Sequence, residues 1–289
     1  MIDVACVGES MALVTPDPPA PLRLGGPMRL EVAGAESTVA CYLAQLGLAA
    51  AWVSRVGADP LGDLVRTTIG GWGVDTSAVT VDPGAPTGVF FKDPGRAVHY
   101  YRGGSAASRL GPGTRVPPAT LTHLSGITPA LSDSCAALVD RLLDERRCGF
   151  DVNYRPGLWP VSPAAPRLLE LARRAEIVFV GLDEAQTLWG VSSAADVRAL
   201  LPGPSTLVVK DGAAGATSFH AGGVDFVPTP PVEVVEPVGA GDAFAAGYLA
   251  GLLRGLSEAD RLALGHRIAA AALGVTGDVA ALTLEEEVS

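Results

Sequence analysis

The segment Pro237-Val238-Gly239-Ala240-Gly241-Asp242-Ala243-Phe244-Ala245-Ala246-Gly247 sets three small residues before an acid and then begins an apolar run with helical spacing. That run, Ala243 to Leu253, predicts a long helix, and Glu258 to Leu273 predicts a second one after it. Glycines at the mouth of a helix let the backbone approach a ligand closely, and the N–H groups of the first turn have no partner within the helix. Together with the helix dipole, these amides suit an anion such as a phosphate oxygen. Asp242, beside them, is placed to take a proton from an attacking hydroxyl. A plain helix cap with an acid at its favoured end uses the same residues, so local chemistry leaves both readings open. A dinucleotide fingerprint is excluded, because Phe244 stands where its third glycine would fall.

Upstream of this segment, short β-branched runs alternate with helical stretches. Strands are predicted at Val4 to Val7, Ala50 to Val53, Leu121 to Leu124, Gly149 to Val152, Ile177 to Val180 and Leu207 to Lys210. Helices are predicted at Glu36 to Leu46, Leu61 to Ile69 (closing at Gly70-Gly71), Ser134 to Glu145, Ala164 to Arg174, Asp183 to Leu188 and Ala194 to Leu200. Repeated β–α units imply an α/β fold with a mostly parallel central sheet and helices on both faces, whose ligands bind beyond the carboxyl ends of the strands. One hairpin interrupts the rhythm: Thr87 to Lys92 and Val98 to Arg102, joined by the turn Asp93-Pro94-Gly95-Arg96. With no internal repeat or low-complexity linker, residues 1–289 read as a single domain carrying a small β-sheet insertion.

Composition excludes several function classes. Of the 289 residues, 48% are apolar and 18% charged, enough to build a sizeable core and to exclude general disorder. The net charge of −10 argues against non-specific nucleic-acid binding, which needs a basic face. Apolar stretches fall well short of the roughly 18 to 20 residues of a membrane span, and Met1-Ile2-Asp3-Val4 shows no basic region leading to a cleavage site. The chain is therefore expected to be cytoplasmic. Cys6, Cys41, Cys135 and Cys148 are dispersed, with no C-x-x-C, and the four histidines show no ligand spacing. No Walker A loop, G-x-S-x-G elbow or H-E-x-x-H is present.

Glu236-Pro237-Val238-Gly239-Ala240-Gly241-Asp242-Ala243-Phe244-Ala245-Ala246-Gly247 resembles the C-terminal signature Asp-Thr-x-Gly-Ala-Gly-Asp-x-Phe-x-x-Gly of the ribokinase-like (PfkB-type) carbohydrate kinases, departing from it at Glu236 and Pro237. The N-terminal half is similar to the same family. Val32 to Ala40 matches the segment that wraps the sugar, with Thr38 where the family usually has Asn, and Val53 to Gly62 matches the strand–turn–helix that follows. Three further segments resemble the 2-keto-3-deoxygluconate kinase branch: Thr87-Gly88-Val89-Phe90, Tyr100-Tyr101-Arg102-Gly103-Gly104-Ser105-Ala106-Ala107-Ser108, and Asp151-Val152-Asn153-Tyr154-Arg155-Pro156-x-Leu158-Trp159.

The resemblance implies a ribokinase-like fold, with a β lid from about 11–32 and 86–103. It implies an ATP-dependent kinase acting on the primary hydroxyl of a sugar acid. Asp242 would be the catalytic base and Gly239, Ala240 and Gly241 the anion hole. Gly34, Phe90 (often Tyr in the family), Tyr100, Arg102, Ile127, Arg155 and Asp278 would line the sugar pocket. Asn153, Lys210, Gly212 and Gly215 would meet the nucleotide. Mg2+ would bridge the phosphates, with Glu236 holding it through water. Arginine's planar fork matches a carboxylate, each charge-assisted bond contributing roughly 1.5–3 kcal/mol, which independently suits an acidic sugar. Salt bridges elsewhere are the competing use of Arg102 and Arg155, and an ordinary hairpin turn is the competing reading of Val208 to Gly215. A kinase of a neutral sugar such as fructose or ribose, or of a nucleoside, and a non-catalytic sugar sensor remain as alternatives. Lids of this family often pair between subunits, so a homodimer or higher oligomer is expected.

Overall fold

The computed structural model describes residues 1–282. Strand β1 (Ile2–Val7) is followed by β2 (Met11–Pro16) and β3 (Met28–Ala33), then helix α1 (Ala35–Gln45), β4 (Ala50–Val53), β5 (Arg55–Gly57), α2 (Pro60–Gly71) and β6 (Thr80–Asp82). The hairpin β7 (Val89–Asp93) and β8 (Ala97–Tyr101) precedes β9 (Ala119–Ser125), α3 (Asp133–Glu145), β10 (Cys148–Asp151), α4 (Val161–Arg174), β11 (Ile177–Gly181), α5 (Leu182–Trp189), α6 (Ala194–Leu200) and β12 (Thr206–Asp211). A second hairpin, β13 (Gly215–His220) and β14 (Gly223–Pro228), leads to α7 (Ala240–Leu253) and α8 (Glu258–Leu273).

Eight strands form one sheet in the order β14-β13-β12-β11-β10-β9-β1-β4, parallel from β12 to β4, with β13 and β14 added antiparallel at one edge. Successive strand residues face opposite sides of a sheet, and the core divides accordingly. Val4 and Cys6 of β1 enter a cluster with α1, α7 and α8, whereas Ala5 and Val7 enter a second with α3 and α4. Ile177 and Phe179 of β11 split from Val178 and Val180 in the same way. Both faces are thus covered, the condition under which parallel strands read as unbroken apolar runs.

A separate four-stranded sheet, in the order β3-β2-β7-β8, draws its strands from 11–33 and 89–101. Its own core is only Met11, Leu13, Ala33 and Phe90, and every residue of β8 is exposed. β5 and β6 form a third, two-stranded sheet. All four cysteines are free and buried. Among the described residues, no helix is long and apolar enough to cross a membrane.

Several element ends differ from the sequence expectation. α2 runs on through Gly70-Gly71, and the left-handed residue that ends it is Gly73. α4 begins at Val161 rather than Ala164, because Pro163 lies in the first turn, where its missing N–H costs no helical bond. α7 starts three residues early, at Ala240, so Asp242 lies inside its first turn. β13 and β14 gave no clear period; the turn between β12 and β13 is an ordinary hairpin closed by Ala214 N–H to Asp211 C=O at 2.8 Å.

Candidate active site

Strands β1, β9, β10, β11 and β12 run in one direction, so the residues that follow them converge on one edge of the sheet. β10 delivers Asp151, Asn153 and Arg155; β12 delivers Lys210; α7 points its N-terminus at the same edge and delivers Asp242. Asn153 Nδ2 donates to Asp242 Oδ1 at 2.9 Å, and Lys210 Nζ donates to Asp151 Oδ2 at 2.7 Å. These contacts fix four side chains from three elements as one group.

Gly239 caps α7 at φ 86, a left-handed conformation that an L side chain adopts only with strain. Even without that strain a Cβ there would lie 3.3 Å from the Asp278 carbonyl. The first bond of the helix runs from Ala243 N–H to Gly239 C=O at 2.9 Å, so the preceding amides stand outside the helical ladder. Lys210 Nζ lies beside this turn, 3.3 Å from where a Cβ on Gly241 would stand. The helix mouth therefore combines amide donors, a lysine and a buried carboxylate.

Burial raises the Asp242 carboxyl to about 7, and the charge of Asp151 adds to the rise, against the pull of Arg155 and Lys210. A carboxylate tuned so far up is a proton acceptor poised near neutrality. Asp278 is also raised, to about 6, chiefly by burial, with Lys92 opposing and Glu236 and Glu31 reinforcing. α1 holds the segment carrying Asp278: Tyr42 Oη accepts from Ala280 N–H at 2.9 Å, and Gln45 Nε2 donates to Ala280 C=O at 3.1 Å.

Gly212, Gly215, Lys210, Ala240 and Gly241 line one cavity of about 640 Å3, whose other walls include Val232, Val234, Ala269, Ala270 and Leu273. It is a largely apolar recess with a cationic, amide-rich end. Asn153 is bonded to Asp242 rather than set in this cavity. Arg155 is 45% exposed in its side chain, donates to Tyr154 C=O at 3.3 Å and lies 3.8 Å from Glu184 Oε1. Gly34 opens α1, and Ile127 precedes a short 3-10 turn, Thr128–Ala130. The same network holds both: Glu36, on α1, accepts from Ser125 Oγ at 2.7 Å and Thr128 Oγ1 at 2.9 Å, while Ser37 Oγ donates to Gly34 C=O.

The small sheet supplies the remaining expected residues. Phe90 is buried in that sheet's core and stacks on Tyr100 with ring centroids 5.2 Å apart; Tyr100 is half exposed. Arg102 lies against the Tyr100 ring and pairs with Glu9. Glu236 has both oxygens engaged, Oε2 by Lys92 Nζ and Oε1 by Val238 N–H, each at 3.2 Å.

Sequence reasoning gave no role to Asp151, Glu184, Glu9, Lys92 or His266. Asp151 carried a usable signal, since it stands at the carboxyl end of a predicted parallel strand, and Glu184 stands in the first turn of the helix that follows the next one. Glu9 and Lys92 gain partners only through contacts distant in sequence. His266 lines the cavity next to Phe244, and nothing local marks it.

Comparisons with known proteins give the family and the fold. The model of the pfkB family carbohydrate kinases matches residues 1–284. The chain belongs to the pfkB family of carbohydrate kinases. It is 37% identical to the 2-dehydro-3-deoxygluconokinase of Thermoproteus tenax, the match covering 99% of this chain and 93% of that one. It is 34% identical to the Bacillus subtilis enzyme of the same name, over 100% and 94% of the two chains. Among solved structures, the PfkB protein from Polaromonas sp. JS666 is 33% identical with a TM-score of 0.88, covering 97% of this chain and 98% of that one. The protein is thus a phosphotransferase acting on a sugar hydroxyl, ribokinase-like in fold, of a kinase family that uses ATP.

Proposed function

We propose that this kinase phosphorylates the primary hydroxyl of 2-keto-3-deoxygluconate. The observation that carries the chemistry is Asp242, buried at the mouth of α7 with its carboxyl raised to about 7. In this reading Asn153 holds one Asp242 oxygen and leaves the other for the substrate hydroxyl. Asp242 takes the hydroxyl proton as the oxygen attacks the γ-phosphorus; the bond to the β-phosphate oxygen breaks and ADP leaves. Gly239, Ala240 and Gly241 present backbone donors to the charge on the moving phosphoryl group, the kind of positioning and neutralisation that dominates such transfers. Lys210, Gly212 and Gly215 line the recess assigned to the nucleotide.

Magnesium fits the same edge. Asp151 Oδ1 is buried without a hydrogen-bond partner, and Glu184 lies close enough for the Asp151 charge to raise its carboxyl further after burial has done so. Asp151, with that unpartnered oxygen, would hold the ion, directly or through water, more readily than Glu236, whose oxygens are both engaged, and Glu184 stands beside it with Oε2 bonded to Gly181 N–H at 2.9 Å. When bound, magnesium neutralises phosphate charge.

The substrate follows from the names of the full-length relatives together with Gly34, Ile127, Asp278, Phe90, Tyr100, Arg102 and Arg155, the residues assigned to the sugar. A neutral-sugar kinase is the second reading, favoured by the Glu9–Arg102 pair, which carries no net charge. A coupled assay with ATP, magnesium and 2-keto-3-deoxygluconate, beside its galactose-derived epimer and fructose, separates them. Turnover of the sugar acids well above fructose supports the first reading; preference for fructose overturns it. The small sheet, with its exposed edge strand β8, is read as a lid that pairs with a second copy of the chain.

A further inference from the structure

We infer that Glu9 is a positioning residue that fixes the guanidinium of Arg102 for a substrate carboxylate; this rests on the reading that Arg102 meets that carboxylate. Glu9 follows β1 on the large sheet, yet its side chain is fully buried and pairs with Arg102 just after β8 of the small sheet, whose side chain is only 11% exposed. Ser105 Oγ donates to the other Glu9 oxygen. Arg102 and Ser105 are the two ends of one turn, closed by Ser105 N–H to Arg102 C=O at 3.0 Å, so a single loop grips both oxygens of one carboxylate. Gly88 leaves the room for this: a Cβ there would stand 3.0 Å from Glu9 Oε1. Two separated segments, Gly88 and the Arg102–Ser105 loop, therefore converge on Glu9, and each was marked in the sequence without a shared purpose.

Burying a carboxylate and a guanidinium is costly in water-derived terms, and an apolar pair of similar shape often serves stability as well or better. What the ion pair adds is direction. Arg102 Nε is buried beside it without a hydrogen-bond partner, a donor still free to meet an acceptor. Glu9 thus holds one part of the planar fork and leaves Nε unpaired beside it. A fork so held loses less freedom when it binds a carboxylate, because its orientation is already set.

The test is a double-mutant cycle in steady-state kinetics, with 2-keto-3-deoxygluconate varied at saturating ATP, using Glu9→Ala, Glu9→Gln, Arg102→Ala and each Glu9 variant combined with Arg102→Ala. Glu9→Ala is expected to raise KM about ten-fold, the scale of one lost charge-assisted contact, with kcat changed less than about three-fold. Glu9→Gln, which can still bond Arg102 and Ser105, should recover most of that loss. In the Arg102→Ala background neither Glu9 change should raise KM further. Fully additive effects, or a loss confined to kcat or to thermal stability, would overturn the assignment. An unchanged KM for Arg102→Ala alone would instead fault the carboxylate reading on which it rests. Should Glu9→Ala fail to fold, the Glu9→Gln arm of the cycle makes the same discrimination.

Discussion

The two principal sheets are built on different terms. The eight-stranded sheet is apolar on both faces, and the polar residues at its active edge are buried or half-buried and bonded to each other, Asn153 to Asp242 and Lys210 to Asp151. The four-stranded sheet has a core of four residues and is tied to the rest by polar links: Arg102 to Glu9, Lys92 to Glu236, and Arg29 Nη2 to Thr276 Oγ1 at 2.8 Å. In the proposed reading the base, Asp242, sits on the part held by packing, while Phe90, Tyr100 and Arg102, three of the seven residues assigned to the sugar, sit on the part held by charge. Changes at the first should therefore fall on kcat, and changes at the second on KM.

The largest effect tests the packed side. Asp242→Asn keeps the shape and the Asn153 contact but cannot accept the proton, so kcat should fall by about 10²-fold or more while KM moves little. Near-normal turnover would remove Asp242 as the base. Arg155→Leu tests whether the division follows chemistry or follows the sheets, because Arg155 follows β10 of the large sheet yet is assigned to recognition. Loss of one charge-assisted carboxylate contact should raise KM for the sugar acid by roughly ten- to a hundred-fold with kcat nearly unchanged. A neutral sugar should be spared, and equal losses on both substrates would argue against carboxylate recognition.

Acidity gives a third test. A base whose carboxyl is raised to about 7 must be deprotonated to work, so log kcat/KM should climb through an acid limb centred near pH 7 and level above it. The same shift has a sign for stability. The folded state holds the Asp242 proton more tightly than the unfolded chain, so stability contributed by the protonated form is complete below about pH 4 and is lost as pH rises through about 7. Asp242→Asn should therefore melt higher than the parent protein at pH 8, with the gap closing toward pH 4. A gap that is independent of pH would show that the carboxyl is not raised.

Much of this division was legible in the residues, for physical reasons. β4, α6 and α8 fall where period and caps placed them, because apolar spacing and end residues act locally. The carboxyl-edge rule pointed to the edge that carries the candidate site before any contact was known. Gly239 to Asp242 was readable as a candidate anion site because helix ends, glycine and charge are properties of neighbours in sequence. What stayed hidden depends on pairs far apart in the chain. Nothing near Glu9 announces Arg102, ninety-three positions on, and Glu236 looked free to meet a metal until Lys92 was seen on its oxygen. β13, rich in small and polar residues, forms because β12 offers an edge to pair with rather than because its own pattern demands it, and β14 pairs in turn with β13.

The smallest expected effect concerns the outer edge of the small sheet. Among the described residues, β8 has β7 on one side and no strand on the other, and it exposes Val98, Tyr100 and Tyr101. Unpaired backbone donors and acceptors beside exposed apolar side chains form an edge that a second strand completes. Pairing two such edges would also cover the side of a sheet whose own core is only four residues, so the dimer would steady the lid without touching Asp242. Tyr101→Lys places a charge on that edge while altering no buried contact but the edge-on packing of Tyr101 against Phe91. Its folded stability should stay within about 0.5 kcal/mol of the parent, and kcat should hardly move. Light scattering at micromolar concentration should read a dimer or larger for the parent and a smaller assembly for Tyr101→Lys. A monomeric parent, or a variant of unchanged mass, would show that β8 is covered by something other than its own copy.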